Sequence, residues 1–168
     1  MYWKVVLTAA LPISELRGAI PIGIWQFKLP VWQVFILAIV GNMLPIPFVL
    51  KFLDKIEVIV SRTGWGRRFF SWLYSHVRKR SDIIERYGYL GLTMFVAIPL
   101  PVTGAWTGSI AAFLMGMQVW RALLHIFIGV VIAGIIVTLV SLMGKLGAVI
   151  GAIIFMTPIF VHFIRGRK

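Results

Sequence analysis

Three long charge-free runs constrain this chain more than any other feature of its sequence. Residues 29–50, 122–144 and 146–164 contain no Asp, Glu, Lys or Arg. Each run is long enough to cross a hydrocarbon layer of roughly 30 Å as an α-helix. A soluble core has no need of such unbroken runs in a chain of 168 residues. The sequence therefore predicts an all-α integral membrane protein.

The residue types present leave few kinds of chemistry open. The chain contains no cysteine, which excludes disulfides, thiolate metal sites and cysteine nucleophiles. His76, His125 and His162 lack a close metal-ligand spacing. The sequence also lacks a catalytic triad, a phosphate-binding glycine-rich loop and paired carboxylates within the apolar runs. We therefore expect neither an enzyme nor a bound metal or cofactor.

Basic residues concentrate in the segment 51–86, which carries nine Lys and Arg against four acids. Such a segment normally faces the cytoplasm, so we interpret the net charge of +12 as a topology signal rather than a nucleic-acid-binding surface. Apolar residues recur within it at roughly helical spacing, as in a helix that lies in the headgroup plane. A topological anchor and a specific patch for anionic lipids both fit this pattern. The apolar positions are Trp65, Phe69, Trp72, Leu73, Val77, Ile84 and Tyr87.

The remaining cations indicate an orientation. If the segment 51–86 lies in the cytoplasm, the span 29–50 crosses the membrane from the outside to the cytoplasm. The last two spans then cross out and back, so that the basic C-terminus also lies in the cytoplasm. Lys4, Lys28 and Lys145 then lie outside. The sequence therefore predicts a multi-pass protein of the cell membrane, inner or plasma, with the basic segment and the C-terminus in the cytoplasm.

Residues 87–120 form a charge-free stretch that is too long for one span and too short for two. Two half-crossings joined at mid-membrane fit its length. Pro99, Pro101, Gly104 and Gly108 lie near its middle, so we expect the helix to break there. Broken backbone is tolerated at membrane depth only where protein or a wet cavity covers it.

The segment 5–27 has the same design around two charged residues, Glu15 and Arg17. A straight helix would place both charges near the bilayer centre, at a cost of about 2.5–3.5 kcal/mol each. A re-entrant hairpin that enters from outside avoids this cost. The expected helix breakers on either side are Pro12, Gly18, Pro21 and Gly23.

Two parts of the chain resemble each other. Residues 31–41 (VWQVFILAIVG) align without gaps with residues 119–129 (VWRALLHIFIG). Upstream, the pair Gly18-Ala19 corresponds to Gly104-Ala105. The charge distribution gives the two copies opposite orientations. Inverted repeats whose broken helices meet near the midplane are typical of many secondary transporters.

These features predict one membrane domain over residues 1–168. It comprises two inverted repeats, each a re-entrant helical hairpin plus a transmembrane helix, with a cytoplasmic amphipathic helix and an extra C-terminal transmembrane helix. Repeat 1 (1–50) contains the hairpin 5–27 and the span 29–50, and repeat 2 (87–144) contains the hairpin 87–118 and the span 119–144. The basic segment 51–86 lies between the repeats, and the last span is 146–164.

Glu15 is the only acid outside the segment 51–86. Residues two apart point to different faces of a helix, but around a turn between Pro12 and Gly18 the side chains of Glu15 and Arg17 can converge. Two interpretations remain open. The two residues form either an ion pair that stabilises the turn or a two-part site that binds a substrate and exchanges a proton.

The second break supplies Thr103, Trp106 and Thr107, which offer hydroxyls, an indole donor and free amides at the start of a returning half-helix. Such a helix start suits an anion. The alternative is that these side chains satisfy loose backbone groups of the break. Asn42 either reaches the site or bonds across helices. Arg121 either extends to headgroups or binds a phosphate.

Two strings, ELRGAIPIG (15–23) and PLPVTGAWTG (99–108), resemble the small multidrug export protein family, within the DedA (VTT-domain) superfamily of membrane proteins. The resemblance covers nearly the whole chain. It implies re-entrant hairpins with functional acids and arginines, which fall on Glu15 and Arg17. Related DedA proteins are associated with proton-coupled movement of polyprenyl phosphate or phospholipids. The second string departs from the DedA pattern, because Thr103 and Trp106 stand where an arginine is expected.

We expect a membrane transporter or flippase, coupled to protons, for an anionic amphiphile such as a lipid phosphate. One alternative is a small exporter of hydrophobic cations, with Glu15 as counter-ion and Trp25, Trp32 and Trp106 along the path. Another is a membrane scaffold that acts through the basic segment. Expected partners are membrane lipids, a small amphiphilic substrate and a second copy of the chain. The predicted substrate and proton site comprises Glu15, Arg17, Gly18, Pro21, Pro99, Pro101, Thr103, Gly104, Trp106 and Thr107, with Asn42 and Arg121 as secondary residues.

Overall fold

The computed structural model describes residues 1–60, 62–68, 71, 75, 82–99, 103–144 and 147. Within these ranges the chain is helical and has no β-strand, which confirms the all-α prediction there. Pro101, most of the segment 61–81 and all but one residue of the expected span 146–164 lie outside the described residues. The helices are α1 (Tyr2–Ala10), α2 (Glu15–Pro21), α3 (Val31–Met43), α4 (Ile46–Val60), α5 (Asp82–Ala97), α6 (Ala105–Leu114) and α7 (Val119–Leu142).

Two helical stretches in the described part of the chain are long and apolar enough to cross a membrane, Val31–Leu53 and Val119–Leu142. They correspond to the predicted spans 29–50 and 119–144. The first stretch comprises α3 and the start of α4, with a bend at residues 44 and 45. The bend follows from Pro45 and Pro47, which have no N–H to donate to the preceding helical turn.

The first helix pair, α1 and α2, is joined by a tight turn. α1 ends at Ala10, and α2 folds back so that Gly18 lies near Thr8. The Ser14 hydroxyl donates a hydrogen bond of 2.5 Å to the Thr8 carbonyl and fixes the turn. The break covers residues 11–14 and ends before Glu15, whereas the sequence analysis expected a turn around Glu15 and Arg17, between Pro12 and Gly18. Gly18 instead lies within α2.

Pro21 is the last residue of α2, but it does not interrupt the helical path, although it was among the expected helix breakers. The helix continues through Pro21 into a π-helical turn, Ile22–Gln26, in which the Phe27 N–H donates to the Ile22 carbonyl at 3.1 Å. Proline has no N–H for the Arg17 carbonyl. A local widening into π geometry lets the chain remain helical and form other backbone hydrogen bonds beyond that point.

The second helix pair, α5 and α6, is separated by a break whose described residues, 98, 99, 103 and 104, are not helical. α6 folds back so that Gly108 lies against the Val96 side chain of α5. α5 begins at Asp82, earlier than the predicted start at residue 87, and it is kinked at Gly88, where φ is 57°. The charged residues before Gly88 therefore belong to the same helix as the apolar residues after it, because a kink and not a loop separates them.

Each helix pair packs against the span that follows it, α1 along α3 and α5 along α7. Gly41 of α3 lies against the backbone of Val6, and Gly129 of α7 lies against the Thr93 carbonyl and Val96. A side chain at either position would collide with these atoms, so glycine permits the close approach. α2 also contacts α3 and α7, and α6 contacts α4 and α7. α2 and α6 therefore return into the bundle, while Leu11, Pro12 and Ile13 of the first break are exposed.

The close approach at Gly129 can be tested by adding one methyl group. In Gly129→Ala the new Cβ would lie 2.7 Å from the Val96 Cβ and 2.9 Å from the Thr93 carbonyl oxygen. We expect a loss of about 1–3 kcal/mol in unfolding free energy, as in other overpacked sites. Gly134→Ala on the same helix is the control, because its Cβ would meet side chains that can move, the Phe35 ring at 3.1 Å and Ile39 at 3.8 Å. Equal denaturation midpoints for the two variants in detergent would contradict this account.

Candidate functional site

The two breaks meet, and Trp106 at the start of α6 connects them. Its indole N–H donates to the carbonyl of Ala10, the last residue of α1, at 3.1 Å. Its backbone N–H donates to Oε1 of Glu15 at 3.4 Å. The start of α6 therefore contacts both ends of the first turn. Glu15 of the string 15–23 lies together with Gly104 and Trp106 of the string 99–108.

Glu15 is held in this site by an unusual backbone conformation. Its φ is +44°, in the left-handed region, which costs a residue with a side chain of order 1–3 kcal/mol. The turn imposes this conformation, because the Glu15 N–H donates to Leu11 at 3.1 Å and the Gly18 N–H donates to Ser14 at 2.9 Å. The side chain is directed inward, and the residue is 6% exposed. Strained, buried acids of this kind are typical of functional sites.

The side chains of Glu15 and Arg17 converge, which is the arrangement that a turn in this segment permits. The Arg17 guanidinium lies 3.4 Å from Oε2 of Glu15, and both side chains are largely covered. Oε1 faces the backbone N–H of Trp106 while Oε2 faces Arg17. The carboxylate thus binds the positive start of α6 and a guanidinium at the same time, which is the environment that an anion requires.

Gly104 provides the space that the Glu15 carboxylate occupies. Its φ is 150°, which favours glycine, and a Cβ at this position would collide with both carboxylate oxygens and Cδ of Glu15. The glycine of the P-x-P-x-T-G-A-W-T string is therefore required twice, for the backbone conformation and for the close approach.

Thr103 and Thr107 hold the second break together. The Thr103 hydroxyl donates to the Ile98 carbonyl at 2.6 Å, and the Thr107 hydroxyl donates to the Gly104 carbonyl at 3.3 Å. The Thr103 bond satisfies a carbonyl at the end of α5, where the helix stops. The Gly104 carbonyl also accepts the Gly108 N–H at 2.8 Å, so the Thr107 bond adds to a helical one. For these two hydroxyls, the geometry matches the self-capping interpretation of the sequence.

A small cavity adjoins the carboxylate. It has room for about one water molecule. Polar side chains of Glu15, Arg17 and Asn42 reach it, together with Pro99 and Gly104. The rest of the wall is apolar and comes largely from α7, which sequence reasoning did not identify because valine and alanine in a span carry no functional signal. The further lining residues are Leu16, Val96, Ala105, Val130, Ala133 and Val137.

The other predicted residues lie apart from the carboxylate. Gly18 allows α2 to pass the Ser14 side chain, and Pro21 begins the π-helical region. Arg121 is exposed in the first turn of α7, about 13 Å along the helix from the first α7 residue that lines the cavity. The structure therefore does not bring Arg121 to Glu15.

The three tryptophans expected along a cation path do not come together at the cavity. Trp106 contacts the site through its hydrogen bonds. Trp25 donates its indole N–H to the Ser141 carbonyl at 3.1 Å, at the opposite end of α7 from Arg121. Trp32 is 64% exposed on the surface. Neither Trp25 nor Trp32 lines the cavity beside Glu15.

Comparison with known proteins identifies one family. Residues 15–136 match the family described as "Putative small multi-drug export protein". This range includes Glu15, Arg17, the first candidate span and most of the second. Searches among curated proteins and among solved structures returned no match. The matched range begins at Glu15 and covers more than half of the chain. The chain therefore belongs to the small multi-drug export protein family.

Proposed function

We propose that this protein is a proton-coupled membrane transporter in which Glu15 alternates between an ionised and a protonated state. One observation carries the proposal: the Glu15 carboxylate is buried where two broken helices meet, between the Arg17 guanidinium and the start of α6. The family description, which names export, supports a transport role. A buried acid with these neighbours can couple a proton to a change in structure.

We further propose that the two helix pairs are re-entrant hairpins of an inverted repeat. The paired glycines support this proposal, because Gly41 and Gly129 occupy equivalent positions in the aligned sequences and each faces the first helix of its own pair. The contact of the two breaks with each other supports a meeting point near the midplane. The domain layout predicted from the sequence, with the basic segment and the C-terminus in the cytoplasm, is part of the same proposal and rests on the charge distribution.

The transported group is proposed to be an anion on an amphiphile, such as a lipid phosphate. In the described structure, Glu15 itself occupies the anion-binding position between Arg17 and the Trp106 amide. A proton on Glu15 removes its negative charge and leaves the guanidinium and the amide for another anion. Proton binding and anion binding then favour each other, which is the thermodynamic requirement for coupling.

Export of hydrophobic cations is a second candidate function, favoured by the multi-drug description of the family. In this mechanism ionised Glu15 is the counter-ion of the drug, and the cation competes with Arg17 and with the proton. A second copy of the chain would help to enclose either path, since the cavity in one copy has room for about one water molecule.

Neutralising the carboxylate tests the coupling. In proteoliposomes, a one-unit pH gradient supplies about 1.4 kcal/mol per proton, enough for about tenfold accumulation of a co-transported amphiphile. We expect wild type to accumulate dodecyl phosphate with the gradient and Glu15→Gln to lose this accumulation while folding normally. Glu57→Gln, which removes an acid of the basic segment, is the control. Gradient-driven accumulation in Glu15→Gln would refute the mechanism.

Gly104 offers a test that leaves all charges unchanged. In Gly104→Ala the methyl group would collide with the Glu15 carboxylate, so we expect transport to fall by at least as much as in Glu15→Gln. Gly116→Ala is the control, because Gly116 also has a positive φ, 62°, but nothing lies within 4 Å of its Cβ position. Equal transport by the two variants, measured at matched amounts of folded protein, would mean that the Glu15 position is unimportant.

Arg17 distinguishes the two substrate classes. Loss of a charge-assisted hydrogen bond costs about 1.5–3 kcal/mol, or roughly 10- to 150-fold in affinity. We expect Arg17→Gln to weaken binding of dodecyl phosphate by this factor in nanodiscs. Arg121→Gln is the control, because Arg121 is an exposed cation outside the cavity. This variant should bind dodecyl phosphate as tightly as wild type does. Tetraphenylphosphonium binding that survives Arg17→Gln and is lost in Glu15→Gln would instead assign the protein to cation export.

A further inference from the structure

Asn42 of α3 presents a buried polar atom that the fold leaves without a partner. The residue is 1% exposed, and its Oδ1 accepts no hydrogen bond within the described part of the chain. Leaving such an acceptor unsatisfied costs about 1–3 kcal/mol. Buried polar groups in native proteins nearly always have a partner, either from the protein or from ordered water. The position of Asn42 therefore requires an explanation.

The surroundings of Asn42 indicate what the partner is. The residue lines the same cavity as Glu15, Arg17 and Gly104, and this cavity has room for about one water molecule. Hydrogen-bonding groups approach the cavity from two sides, Asn42 on α3 and the Glu15–Arg17 pair on α2. The α7 side contributes Val130, Ala133 and Val137, which cannot bind water. A site with these polar groups and this size is suited to one water and excludes an organic substrate.

We propose that the cavity is a binding site for one water molecule, which bridges Asn42 Oδ1 and the Glu15 carboxyl group and carries the proton to and from Glu15. The inference rests on the proposed function and adds to it the route of the proton. The water donates one hydrogen bond to Oδ1. With Glu15 ionised it donates its second hydrogen bond to the carboxylate, and with Glu15 protonated it accepts a hydrogen bond from the carboxyl O–H.

The transfer step is balanced. A proton that reaches this water forms a hydronium ion, whose O–H bond breaks as the O–H bond of Glu15 forms, and the water remains on Asn42. The reverse step releases the proton. Asparagine suits this position because its carbonyl oxygen accepts a hydrogen bond without charge and without taking the proton. In this role Asn42 is a positioning residue, since it acts on Glu15 through the water.

The same helix supplies a matched control. Gln33 of α3 also has a buried side-chain oxygen without a partner among the described residues. It lines a separate surface groove with Tyr2 and Trp32, and it is not among the residues around the Glu15 cavity. Asn42→Leu and Gln33→Leu therefore remove an equivalent acceptor from one helix, but only the first change alters the proposed water site.

Infrared difference spectroscopy across a pH titration in nanodiscs tests the site without requiring transport. The carboxyl band of Glu15 is assigned by its loss in Glu15→Gln. We expect Asn42→Leu to shift this band to higher frequency, as a hydrogen bond is lost, and to slow gradient-driven uptake of dodecyl phosphate about tenfold. Gln33→Leu should leave the carboxyl band and the uptake rate unchanged. Asn42→Ser introduces a small side chain with a hydroxyl group, so it should retain the water and most of the uptake.

Wild-type protein supplies a test that does not depend on the folding of a variant. Its difference spectrum should contain a water O–H band that shifts in H₂¹⁸O and is absent from Glu15→Gln. A spectrum without such a band would overturn the water site, and so would an Asn42→Leu variant that behaves like Gln33→Leu. If Glu15→Gln retains pH-driven uptake, the proposed function itself is wrong. If Glu15→Gln loses pH-driven uptake but Asn42→Leu behaves like Gln33→Leu, the proposed function stands and the bridging water is wrong.

Discussion

The contact between the Glu15 carboxylate and the start of α6 is the interaction on which the rest of the structure depends. Each broken helix alone presents groups that an apolar bundle tolerates poorly. The first turn presents a carboxylate, and the second presents amides without helical partners. When the Trp106 amide donates to Glu15, each group satisfies the other. Arg17 completes the charge balance, and Gly104 provides the necessary space. Neither break is therefore understandable without the other.

The contact of the Glu15 carboxylate with the start of α6 is polar, whereas the contacts that hold each helix pair to its span are close steric packing. At Gly41 and Gly129, backbone lies close to backbone or to branched side chains, and such packing has little freedom to change. Between the two breaks, the carboxylate contacts one amide and one guanidinium at 3.4 Å each. A proton on Glu15 would weaken these contacts without disturbing the glycine packing. The fold thus combines close glycine packing between each helix pair and its span with a titratable contact among those that join the halves, which also include α2 and α3 against α7 and α4 against α6.

Much of this organisation was predictable because it depends on local sequence. Charge-free runs identify two of the spans, and the prolines and glycines near residues 12 and 99–104 identify the breaks. Pro21 was harder to interpret, because the chain absorbs its missing N–H through a π-helical turn. The partner of Glu15 could not be deduced from its neighbours in sequence. Trp106 and Asn42 reach the site only through packing, and the apolar α7 residues carry no sequence signal.

The size of the cavity limits how transport can occur. A space for about one water molecule cannot admit an amphiphile, so a transport cycle requires the two breaks to separate. The interfaces at Gly41 and Gly129 are the least able to open, because they involve close backbone approaches. The Glu15 side chain links α2 to α6, and α2 also packs against α7. Under the proposed function, such a separation must also break the contacts of α2 and α3 with α7 and of α4 with α6, which join the two halves.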